Sequence, residues 1–222
     1  MTFIYDSRLV SAHDDALGAS VLLMNEAPGP SEAVSGIPSF GQQGANIFHA
    51  LRKAGICWAV AHQRFVWAKN VTTQQSERHR KKAAFLHSRA KHITTTNAFP
   101  RWPRPSLDSS GFCPPREADV ISPDNIVRIR DEVRATHRVI LICGNYAYLA
   151  CVGKSLPHPA TRETTELTVA EMQQLNERLH SRFEKGWYMG HTRRWSTRSN
   201  EITRTLRLVA QYVGWSIDAN AG

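Results

Sequence analysis

Four polar side chains stand where apolar or β-branched runs stop. Glu26 follows Val21-Leu22-Leu23-Met24-Asn25, Asn97 follows His92-Ile93-Thr94-Thr95-Thr96, Asn145 follows Val139-Ile140-Leu141-Ile142-Cys143-Gly144, and His191 follows Trp187-Tyr188-Met189-Gly190. A carboxylate and an imidazole can hold or transfer charge and protons, and each carboxamide offers both a donor and an acceptor. In an open α/β sheet the carboxyl ends of the strands are where such groups meet a ligand, so the four define one candidate site. Glu26 is the most informative of them. Its strand breaks into Ala27-Pro28-Gly29-Pro30 and then into a glycine-rich loop that leads to a helical pattern.

The elements that must position these residues alternate along the chain. Ile47, Phe48 and Leu51 share one face of a helix over 45–54, with Gly55 placed to end it. The β-branched run 92–97 reads as a second strand and stops before Pro100. Ser122-Pro123 starts a helix carrying Ile126, Ile129 and Val133, reaching about Ala135. The continuous apolar run from Arg138 to Asn145 suits a central parallel strand, followed by a short helix over 147–151. Thr168 and Glu171 form a capping box for a helix with Met172, Leu175, Leu179 and Phe183 inward. Trp187 to His191 is a fourth strand, and Ile202, Leu206, Val209 and Val213 describe a closing helix ending near Gly214. Strands alternating with helices predict a three-layer α/β/α fold around a central four-stranded parallel sheet.

The 222 residues suit a single domain over 1–222, with 1–19 as an amino-terminal extension and 69–92 as a basic segment. Lys and Arg number 28 against 19 Asp and Glu, a net charge of +9, which favours a polyanionic partner, nucleic acid first. The basic segment, with Arg78-His79-Arg80-Lys81-Lys82, is either a solvated face or a phosphate-contacting surface. Arg101 and Trp102, between prolines, either brace a loop or touch a nucleic-acid strand. No apolar run approaches the ~18 residues of a membrane span, and the first residues lack a signal-peptide pattern, so a soluble cytoplasmic protein without a membrane partner is expected. Cys57, Cys113, Cys143 and Cys151 form no CxxC pair and read as buried free thiols. No dimerisation surface is legible, and a monomer is expected.

Five segments together resemble the uracil-DNA glycosylase superfamily, most closely its iron-sulfur branch, family 4. They are Asn25-Glu26-Ala27-Pro28-Gly29, Gly36-Ile37-Pro38-Ser39-Phe40-Gly41-Gln42-Gln43-Gly44, Thr96-Asn97, Cys143-Gly144-Asn145-Tyr146-Ala147 and His191-Thr192-Arg193. The family has Gly where Asn25 stands, a ring-stacking Phe where Ser39 stands, and Pro-Ser where Thr192-Arg193 stand. Either Phe40 takes over the stacking or the base pocket is built differently. The branch also carries four cluster cysteines, of which only Cys113 has a counterpart, so no iron-sulfur cluster, metal or other cofactor is expected.

The resemblance implies an enzyme of base-excision repair that flips deoxyuridine out of single- or double-stranded DNA and hydrolyses its N-glycosidic bond. It implies that His191 donates to uracil O2 as negative charge develops there, and that Glu26 orients the water and stabilises the cationic sugar, with Asn25 as the alternative water binder. Asn97 would read the O4 and N3–H edge, with Ala27, Ser39 and Phe40 completing the base pocket. Pro28, Gly29, Ser31, Gly144 and Asn145 would grip phosphates, and Arg193, Arg194 and Trp195 would follow the histidine into the DNA. Each residue also has a plain structural role open to it: a helix cap or arginine partner for Glu26, a turn for Asn97, a strand-end hydrogen bond for His191, packing on the last helix for Trp195. Two other functions remain open on the same residues, a DNA-binding module for uracil or abasic sites with weak turnover, and a glycosylase for another deaminated base.

Overall fold

The computed structural model describes residues 4–5, 9–10, 18–60, 92–104, 114–156, 164–192, 195 and 199–219. In chain order these form β1 (Ile4–Tyr5), β2 (Val21–Asn25), α1 (Pro30–Ser35), α2 (Gln42–Lys53), β3 (Ile93–Asn97), β4 (Pro103–Arg104), α3 (Glu117–Val120), α4 (Pro123–Glu132), β5 (Val139–Ile142), α5 (Asn145–Val152), β6 (Thr165–Glu166), α6 (Val169–Leu179), β7 (Lys185–Tyr188) and α7 (Ser199–Val213).

The main sheet has the order β3-β2-β5-β7-β6. The first four strands are parallel, as the apolar runs predict, but the sheet has five strands rather than four. The additional strand, β6, pairs antiparallel with β7 through Thr165 and Glu166. Two exposed residues are too short a run to show any periodicity, which is why the sequence conceals this edge. β1 and β4 form a separate antiparallel pair.

Side-chain alternation divides the core in two. Val21, Leu23, Ile93, Val139 and Leu141 face a layer containing Ile47 and Leu51 of α2 and Ile202, Leu206 and Val209 of α7. Leu22, Met24, Ile140 and Ile142 face the opposite layer, with Ile126 and Ile129 of α4, Ala147 to Val152 of α5, and Leu175 and Leu179 of α6. Every strand residue of β2, β3 and β5 is buried, so helices cover both faces. Ser122 caps α4 by accepting from the Asn125 N–H, and Thr168 and Glu171 form the expected capping box on α6. That helix stops at Leu179, where His180 turns left-handed at φ 50°, so Phe183 enters the core from the following loop rather than from the helix.

The order of the parallel strands determines where the site lies. After β2 the chain crosses to β3 on one side, and after β3 it returns to β5 on the other. Between β2 and β5 the direction of winding therefore reverses, and a crevice opens beyond their carboxyl ends. Glu26 immediately follows β2, and Cys143-Gly144 immediately follow β5.

Candidate functional site

Glu26 lies across that crevice. One carboxylate oxygen accepts from the Tyr146 N–H, 3.3 Å away in the first turn of α5, and the other is 3.6 Å from His191 Nε2. Tyr146 is the second residue of α5, so its N–H is one of those a helix leaves without an internal acceptor. Gly144 makes the approach possible. At φ 106° and ψ 173° it adopts a backbone conformation almost reserved for glycine, and a Cβ there would stand 2.5 Å from Glu26 Cγ and closer still to Cδ and Oε1. Burial, and secondarily the Glu26 carboxylate, pushes the neighbouring Cys143 thiol well above its ordinary range. His191 sits three residues beyond β7, half-buried, on the chain that leaves the sheet at Tyr188. Asn46 of α2 holds the backbone just after it by donating to the Thr192 carbonyl at 3.2 Å.

Asn25 and Asn97 form the second half of the site. They are register partners on adjacent parallel strands, so their side chains leave the same face of the sheet. The Asn25 amide donates to Ser39 Oγ at 2.8 Å, leaving its buried carbonyl oxygen without a partner. Asn97 is 0 % exposed, and neither its Oδ1 nor its Nδ2 has a hydrogen-bond partner. A buried amide left this way costs about 1–3 kcal/mol per polar group, a cost that natural proteins retain mainly where a ligand or ordered water satisfies it. Beyond the strand ends the two segments stay tied, because Ala98 N–H donates to the Asn25 carbonyl and Phe99 N–H to the Glu26 carbonyl.

The proline-glycine segment after Glu26 is partly helical rather than a plain loop. Pro30 begins α1, and Gly36 ends it with a left-handed turn. Glu32, buried in this helix, organises the surrounding backbone. Its carboxylate accepts from Gly29 N–H at 2.8 Å and from Ser39 N–H at 2.5 Å. The second bond holds Ser39 at φ 59°, an uncommon conformation for a residue with a side chain, and that placement brings its hydroxyl to Asn25. Sequence reading passes over Glu32, although proline two residues before an acid in a first helical turn is the signal that reveals it.

Of the residues expected to contact phosphate, Gly29 has its N–H committed to Glu32, and Asn145 has its side-chain oxygen committed to the Tyr188 hydroxyl at 2.8 Å. Ser31 is exposed on α1, Pro28 is buried, and Ala27 and Phe40 are half-buried. Trp195 requires a correction. It is 2 % exposed and packs in the core with α7, so it is withdrawn from the DNA-contacting set. A large apolar ring gains more from that burial than from exposure on a loop. Arg193, Arg194, Cys113 and positions 69–91 of the basic segment lie outside the described residues.

Among the described residues no group of three or more side chains is arranged to hold a metal ion, and no helix is long and apolar enough to cross a membrane. No protein-family model matches this chain, and no curated protein matches it at a significant level.

Proposed function

We propose that this protein is a monofunctional uracil-DNA glycosylase, hydrolysing the N-glycosidic bond of a flipped-out deoxyuridine to release uracil and leave an abasic site. The observation that carries this reading is the Asn97 amide, buried and without a partner on either atom, at the end of the strand that pairs with the one Glu26 follows. Turned with Nδ2 toward O4 and Oδ1 toward N3–H, it complements the edge that distinguishes uracil from cytosine. The uracil anion that leaves carries charge on O2, which a ring N–H of His191 receives as a hydrogen-bond donor, with Glu26 beside the imidazole and facing the cationic sugar. The attacking water donates to Glu26, which takes up its proton, with the unpartnered Asn25 carbonyl oxygen as the second acceptor that places it. The net charge of +9 supplies the phosphate attraction that offsets unstacking the base.

Single-turnover excision from uracil-containing single- and double-stranded oligonucleotides tests this directly. Glu26→Gln and His191→Ala are each expected to slow release by about 10²–10³-fold, and wild-type rates in both would refute the site. A second reading, recognition of uracil or abasic DNA with weak turnover, is favoured by the burial of the two amides, since Asn25 is 1 % and Asn97 0 % exposed. Tight abasic-DNA binding with negligible single-turnover excision would select it.

A further inference from the structure

We propose that Arg128 is a positioning residue that sets the placement of Asn97, an inference that rests on the base-reading role given to Asn97 above. β3 is an edge strand of the sheet, so its outer backbone groups need partners from another layer. At its carboxyl end those partners come from α4. The Arg128 guanidinium donates to the Asn97 carbonyl at 2.7 Å and to the Ala98 carbonyl at 3.3 Å. The same group donates to Asn125 Oδ1 at 3.0 Å and to Glu132 at 2.7 Å. Asn125 in turn donates to the Ala98 carbonyl at 2.7 Å and to the Val120 carbonyl at 2.6 Å, and Thr96 donates its hydroxyl to Glu132.

Thr96 and Asn97 at the end of β3, and Ala98 just beyond it, are therefore held by three side chains of one helix. The clamp grips the Asn97 and Ala98 carbonyls and the Thr96 hydroxyl on the edge and on the α4 face, while the Asn97 side chain leaves the opposite face, which it shares with Asn25. An amide without a partner of its own has nothing else to keep it aimed before the base arrives. Arginine is the residue type this requires: its rigid fork reaches two carbonyls, an amide oxygen and a carboxylate together, whereas lysine provides one point charge.

The test compares Arg128→Lys, Asn97→Ala and the double variant by single-turnover excision from a uracil-containing single-stranded oligonucleotide. Affinity for the same oligonucleotide, the urea denaturation midpoint and the side-chain amide resonances of Asn97 in an ¹⁵N-correlated spectrum are measured alongside. Arg128→Lys keeps the ion pair with Glu132 and is expected to remain folded. It should lose about 10²-fold in excision rate, as a misplacement of about 1 Å does, with affinity little changed. The double variant should be no slower than Asn97→Ala, and in Arg128→Lys alone the Asn97 side-chain amide resonances should broaden or shift. Glu132→Gln, which loosens the clamp without removing the fork, should move the same resonances and the rate in the same direction by less.

A wild-type rate and unmoved resonances in Arg128→Lys would overturn the positioning role alone, as would a double variant slowed by the product of the two single effects. A wild-type rate in Asn97→Ala would instead overturn the base-reading role beneath it. If Arg128→Lys unfolds, the resonances in Glu132→Gln decide, and their staying unmoved would overturn the proposal.

Discussion

Replacing Gly144 by alanine perturbs the centre of the site through two separable costs. The backbone at φ 106° and ψ 173° strains any residue with a Cβ, about 1–3 kcal/mol. The added methyl also stands 2.5 Å from Glu26 Cγ and nearer to the rest of the carboxylate, an overpacking worth about 1–3 kcal/mol more. Gly144→Ala is therefore expected to lose about 2–6 kcal/mol of stability and to push Glu26 away from Tyr146 and His191. The three nearest atoms all belong to the Glu26 side chain beyond its Cβ. In a Glu26→Ala background these closest collisions disappear while the strain remains, so the two substitutions should couple by about 1–3 kcal/mol. Equilibrium urea denaturation of the wild type, both single variants and the double variant measures this from the midpoints, provided the slopes agree. Costs that simply add, or a Gly144→Ala protein as stable and active as wild type, would refute the close packing of Glu26 on Gly144.

Other expectations follow from single interactions. Asn97→Leu, with the same side-chain heavy-atom count and branching, removes a buried amide with no partners, so it should raise stability by about 1–3 kcal/mol while abolishing the proposed uracil release; a destabilised variant would refute the stability gain. Glu32→Ala leaves the Gly29 and Ser39 N–H groups without their acceptor and should cost about 2–4 kcal/mol, with excision reduced because Ser39 no longer holds Asn25; denaturation and single-turnover rates check both. On the surface, hydrogen bonds from Arg138 and then Tyr212 draw the Glu184 carboxyl down to about 2. Its folded value lies below its unfolded value, so its contribution is complete above the ordinary carboxylate range and is lost as pH falls toward 2. Thermal unfolding of Glu184→Gln between pH 5 and pH 2 should show a slightly flatter acid arm than wild type, and parallel curves would show that the pair contributes nothing.

The extended runs and the helices around them were legible because burial imposes periodicity. Val21 to Asn25 and Val139 to Ile142 are apolar throughout since helices cover both faces, and α2, α4, α6 and α7 each show one apolar stripe. The ends of those runs named Glu26, Asn25, Asn97 and His191, because a strand that stops in a polar residue at a sheet edge leaves a local signature. Strand order carries no such signature. That β2 and β5 are neighbours, that Gly144 clears space for Glu26, and that the carboxylate meets both Tyr146 N–H and His191 all depend on contacts over more than a hundred residues of chain. The fate of Trp195 depends on them as well, since the same ring suits a core or an exposed loop until α7 is placed against the sheet. The chain's local chemistry thus determined which groups stand at the strand ends, while the packing of separate layers decided which of them meet, which remain unpartnered and which are held in place, because those outcomes are properties of pairs of residues rather than of single positions.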